Sequence, residues 1–121
     1  MSASDLYEKL GELAERSGRY HWRGLEFVLR CVEHCRGRLS RAGHVAGREL
    51  LESARQLAIS EYGPSAKMVL NGWGIESTED IGRIVFLMVD NEILSKTEDD
   101  SLDDFRDGFD FETEFVRKHH W

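Results

Sequence analysis

The chain has one proline, two cysteines and no apolar run near the roughly 18 residues that a membrane-spanning helix requires, and each shortage removes a class of protein. Without such a run, no membrane partner is expected. The opening MSASDLYEKL carries neither the basic leader nor the apolar core that directs secretion, so the expected location is the cytoplasm. Glutathione keeps thiols reduced there, and Cys31 and Cys35 are expected as free cysteines rather than as a disulfide. Catalytic signatures are missing too: there is no G-x-S-x-G, no glycine-rich phosphate loop and no H-E-x-x-H. The carboxylates crowd into one hydrophilic stretch, where solvent favours ordinary acidity over acid–base work. An enzyme is not expected, nor is a cofactor.

What is present fits a small helical protein. At 121 residues and 40% apolar content, one domain can bury roughly two-thirds of its unfolded surface and needs neither disulfide nor metal to fold. Helical spacing of apolar residues begins near Asp5 and runs to Ser17, with Ser4 as cap and Leu6, Leu10, Leu13 and Ala14 on one face. Gly18 stops it. A second helix from Trp22 to Leu39 lines up Trp22, Leu25, Val28, Leu29, Val32, Cys35 and Leu39, with Arg23, Arg30 and Glu33 outside. Arg41 to Gly47 connects to a third helix, Arg48 to Tyr62, which Gly63 ends; Pro64 opens a short fourth. Gly72 and Gly74 bracket Trp73, expected buried between the fourth and fifth helices. Ser77 is placed to cap that fifth helix, which carries Ile81, Ile84, Val85, Met88 and Val89.

Beyond Ile93 the pattern shifts. Ile93 to Thr97 reads as a strand, and Phe109, Phe111 and Phe115 alternate with polar residues as in a second, half-buried one, with a helical turn at Ser101 to Phe105 between them. The expected fold is therefore mainly α, a small helical domain with a C-terminal β-hairpin, winged-helix-like. Residues 1–62 hold the N-terminal helices, 63–115 the helix-turn-helix and acidic hairpin, and 116–121 a tail. The wing has the wrong charge for nucleic acid. Glu98, Asp99, Asp100, Asp103, Asp104, Asp107 and Asp110 stand where a reader of phosphate needs cations, and the fifth helix turns Glu79, Asp80, Arg83, Asp90 and Asn91 outward.

Charge is divided along the chain. Residues 19–55 hold eight arginines against four glutamates, whereas residues 76–115 hold fourteen acids against Arg83, Lys96 and Arg106. Such asymmetry steers association with a charged protein partner or, weakly, with a second copy of the chain. Arginine and aromatic residues dominate interfaces, so Arg19, Tyr20, Trp22 and Arg23 form the expected contact surface, extended by Arg30, Arg36, Arg38 and Arg41, with Trp121 as a further anchor. The expected function is a non-catalytic protein-interaction or regulatory module. The alternative is a nucleic-acid-binding protein that uses the Arg-rich second helix and the loop after it.

The stretches GHVAGRELLESARQLAISEYGPSAKMVLNGWGI and STEDIGRIVFLMVDNEILSKTEDDSLDDFRDGFDFETEF carry distinctive pieces: the EYGPSA junction, the WGI turn, the STEDIGRIVF helix and the acidic segment after it. In these the chain resembles an uncharacterised bacterial family found mainly in planctomycete and verrucomicrobial genomes. That family has no assigned activity, so the resemblance implies a shared fold and no chemistry. Relatives tend to have Ser or Thr before Gly-Arg-Glu-Leu; Ala46 stands there here, which implies a less well capped third helix.

Two groupings invite a metal. Cys31, His34 and Cys35 share a helical turn but lack a fourth ligand beyond His44, so core cysteines are favoured over zinc. Asp103, Asp107, Gly108 and Glu114 match four positions of a calcium-binding loop, but Phe105 and Phe111 occupy ligand positions, and no metal is expected.

Overall fold

In the computed structural model, which describes residues 2–40, 45–95 and 101–119, the chain is helical throughout: α1 Ala3–Ser17, α2 Trp22–Leu39, α3 Gly47–Tyr62, α4 Ala66–Gly72 and α5 Thr78–Asp90. A 3-10 turn at Gly63–Ser65 takes the chain past Pro64, another lies at Leu102–Phe105, and a π-type turn at Thr113–Arg117 follows.

Local chemistry sets the ends. Ser2, two residues before the expected cap, accepts the Asp5 N–H at 3.2 Å, and Gly18 closes α1 in the left-handed conformation at φ 66°. His21 caps α2 by accepting the Arg23 N–H on Nδ1 at 3.1 Å. Ala46 offers no acceptor at the start of α3, but the Glu49 carboxylate accepts the Ala46 N–H at 2.8 Å, so half of a capping box is in place.

The helices bury one connected core. Leu10 and Leu13 from α1, Leu25, Val28, Cys31 and Cys35 from α2, Leu50, Leu51 and Ala58 from α3, and Ile81, Ile84 and Met88 from α5 are all nearly inaccessible. The C-terminal segment completes it with Phe105, Phe111 and Phe115.

The expected hairpin does not form: among the described residues there is no strand, which removes the winged-helix-like architecture while keeping mainly α. Two local devices account for this. After α5 the chain turns back through Glu92 at φ 62°, and the Ile93 N–H reaches the Met88 carbonyl at 2.8 Å while the Glu92 N–H reaches that of Val89 at 3.1 Å. That is a Schellman closure, so Ile93 and Leu94 cap the helix against the core instead of starting a strand. Farther on, Asp110 accepts the Thr113 N–H at 2.9 Å, which makes it the cap of a final helical stretch. Phe111 and Phe115 are then one turn apart on one face, their rings 5.2 Å apart. Residues 96–100, part of the expected wing, lie outside the described residues.

Trp73 also departs from expectation. It is only partly buried and packs on Phe27 at 5.9 Å and Tyr62 at 5.6 Å, from α2 and α3; Ile75 is the fully buried residue of that turn.

The acidic segment is fastened at its root. Thr78 donates its hydroxyl to the Phe105 carbonyl at 2.6 Å and accepts the Gly108 N–H at 3.1 Å, while the Phe105 ring lies directly on Gly82. A Cβ at Gly82 would stand 2.6 Å from that ring. Gly82→Ala is therefore expected to destabilise by about 1 to 2 kcal/mol, overpacking outweighing the usual helix-propensity gain. Glu92→Gly should instead stabilise by about 0.5 to 1 kcal/mol, since glycine occupies the left-handed region without the Cβ penalty. Urea denaturation of both variants checks these signs; a stabilised Gly82→Ala or a destabilised Glu92→Gly contradicts the packing and the turn respectively.

Candidate functional site

Four donors converge on Asp80. The Tyr20 hydroxyl donates at 2.6 Å, the Glu76 N–H at 2.9 Å, and the Arg19 and Arg83 guanidinium groups approach to 2.8 and 3.0 Å. Asp80 is 1% exposed, not on the outer face of α5 as helical spacing suggests. Burial alone would push its carboxyl up, but the bonds from Tyr20, Glu76, Arg19 and Arg83 outweigh this and hold it below the ordinary carboxylate value. Burial and the adjoining carboxylate push the Tyr20 hydroxyl up to about 12.

This divides the residues expected at a contact surface. Tyr20 is core, and Arg19, though half exposed, serves Asp80 and lies 5.5 Å over the Tyr20 ring. Arg36 pairs with Glu33 at 2.7 Å. Arg38 crosses to α3, donating to the Ser53 hydroxyl at 3.2 Å and the Glu49 carbonyl at 2.9 Å. Arg41 and Trp121 lie outside the described residues. Only Trp22, Arg23 and Arg30 come together elsewhere: Arg23 sits 5.1 Å over the Trp22 ring, Trp22 meets Tyr7 edge-on at 6.1 Å, and Tyr7 and Arg30 line a common groove.

That groove is the candidate site. Because α2 folds back on α1 after a short corner, one face of each helix borders it: Leu6, Tyr7 and Leu10 from α1, and Glu26, Leu29, Arg30 and Glu33 from α2. Glu26, Leu29, Arg30 and Glu33 follow helical spacing, so they fall on one side of α2. Leu57 of α3 completes the lining, and the volume is about 420 Å³. Tyr7 is 49% exposed, and its hydroxyl donates to Glu26, which makes it harder to ionise than an ordinary tyrosine. Arg30 is held by Glu61 of α3.

Sequence reasoning reads Leu6, Leu29 and Leu57 as core, since each belongs to an apolar stripe, and does not single out Tyr7. The available signal was the width of the α1 stripe, where Leu6, Tyr7 and Leu10 exceed what a single neighbouring helix covers.

Several members of the two metal groupings are otherwise engaged. Cys31 and Cys35 are fully buried, and desolvation pushes the Cys31 thiol well above its ordinary value, away from the thiolate that a metal needs. Asp103 pairs with Arg106 at 3.3 Å, Glu114 with Lys118 at 2.5 Å, and Asp110 serves as a cap. Among the described residues no three His, Cys, Asp or Glu side chains stand together as a metal site.

The Asp80 knot yields a test with a definite sign. Tyr20→Phe removes a donor to a buried charge and should cost about 1.5 to 3 kcal/mol. A raised tyrosine contributes stability that is intact below its ordinary value of 10 and lost as pH climbs toward 12, so the wild type should lose stability faster than Tyr20→Phe across that window. The lowered Asp80 acts oppositely, its contribution being lost as pH falls below about 4. Denaturant titrations from acid to alkali check both; parallel alkaline curves for wild type and Tyr20→Phe would contradict the Tyr20 assignment.

No protein-family model, curated protein or solved structure matches the chain.

Proposed function

We propose that the chain is a non-catalytic protein-interaction module that receives a helical segment of a partner in the α1–α2 groove, and that it belongs with the uncharacterised family it resembles. One observation carries the reading: five of the arginines of the basic stretch answer to the chain's own acids and carbonyls while the apolar groove stays open. Arg19, Arg30, Arg36 and Arg55 each hold a carboxylate of this chain, and Arg38 binds a carbonyl. A surface that binds phosphate needs its cations free to displace counterions. A groove flanked by two packed helices instead suits a third helix, whose anchors recur at i, i+3, i+4 and i+7. Catalysis is disfavoured on similar grounds. Asp80, among the described residues the one carboxylate taken fully out of water, spends its lone pairs on four donors and cannot reach a substrate.

At about 0.15 M salt the protein should leave duplex DNA and hairpin RNA unshifted in an electrophoretic assay, where specific complexes form at ~10⁻⁸ M or tighter. A nanomolar shift that survives competitor and disappears in an Arg36→Ala, Arg38→Ala double variant would transfer the function to nucleic-acid binding.

A further inference from the structure

We infer that the helix received by the α1–α2 groove is amphipathic and carries Lys or Arg beside its apolar stripe; this rests on the groove being the binding face. The floor is aliphatic and aromatic, from Leu6, Tyr7, Leu10, Leu29 and Leu57, so the occupant must present apolar anchors. The rim decides its charge. Glu26 and Glu33 stand seven residues apart on α2, about 10 Å along the axis. Arg30 lies between them, but Glu61 neutralises it from α3. Arg36 reaches Glu33 from the next turn and still leaves 72% of that side chain in water. Counting both pairs, the acids Glu26, Glu33 and Glu61 outnumber the cations Arg30 and Arg36, so the open edge keeps a net negative charge on a chain whose formal net charge is −7, and complementarity calls for cations beside Glu26 and the exposed side of Glu33, about two helical turns apart.

A second copy of the chain fits poorly. Twofold pairing makes residue i face residue j and j face i, and pairing α2 with itself about Leu29 sets Glu26 against the other copy's Glu33 at both ends. Like charges repel there twice. A cationic helix meets the same two acids with attraction, and its apolar positions between the cations fall over Leu29 and Tyr7.

The test is selection from a displayed library of roughly 18-residue peptides, long enough to hold a helix, with leucine fixed at i, i+3, i+4 and i+7 and other positions random, against the full chain. Expected binders carry Lys or Arg two turns apart, bind Glu33→Lys about three- to tenfold more weakly, and recover when the facing cation is exchanged for Glu. They should also lose binding to Tyr7→Ala and to Leu29→Ser, variants whose folding is verified by unchanged thermal unfolding. Binders that require Tyr7 and Leu29 but show no preference for cations would overturn the charge assignment and leave the groove as the binding face. Binders indifferent to both groove substitutions would overturn the groove itself, and with it the proposed function. Sedimentation that shows a dimer dissolved by Tyr7→Ala would assign the groove to a second copy and end the inference.

Discussion

Taking a carboxylate out of water costs several kcal/mol unless strong donors replace its hydration, and around Asp80 that requirement organises the molecule. The donors come from the α1–α2 corner, from the residues leading into α5 and from α5 itself, so satisfying one side chain fixes three parts of the chain. Contacts around it show how closely the two corners meet. The His21 N–H donates to the Trp73 carbonyl at 3.1 Å, and Gly74, at φ 90°, passes the Arg19 carbonyl where any Cβ would collide. Gly24 faces Trp73, where a Cβ would stand 3.3 Å from that of the tryptophan, tight but without collision. Once this corner is seated, the direction of α2 is set, α1 lies along it, and the groove between them follows.

The fold was legible wherever an element announced its own ends. Gly18 and the run from Trp22 to Leu39 mark α1 and α2 in the sequence, and Gly63 with Pro64 marks the break after α3. Sequence and structure part where a common signal is absent or doubled. The end of α5 uses Glu92 in a left-handed position that usually advertises itself with glycine, so its closing residues Ile93 and Leu94 looked like a strand. Phe109 and Phe111 mimic alternation, yet Asp110 between them is a cap, and the decisive spacing is the one from Phe111 to Phe115. Asp80 was misplaced for a different reason: its partner Tyr20 is 60 residues away, and no local pattern encodes that meeting.

The same distinction runs through the candidate site. Arginine and aromatic character singled out Trp22, Arg23 and Arg30, which do gather near one groove, and also Tyr20, which is buried. Residue type shows what a side chain can offer to a partner, but not whether the fold has already claimed it. The charge division behaves similarly, because the basic and acidic stretches meet in space through Arg19 with Asp80 and Arg55 with Glu114. Arg55 also holds Glu52, whose carboxyl its hydrogen bonds pull down to about 2. Much of the asymmetry read along the chain is thereby satisfied within one molecule.

The placement of Trp22 and Trp73 gives the protein optical reporters at separate places. Trp73, wedged between Phe27 and Tyr62, senses whether the α2–α3 core is intact. Trp22 touches Tyr7 at the mouth of the groove and lies under the guanidinium of Arg23, so its emission and quenching respond to what enters there. With Trp121 and one of these two indoles replaced at a time, occupancy of the groove and integrity of the core become separable signals within the same unlabelled chain.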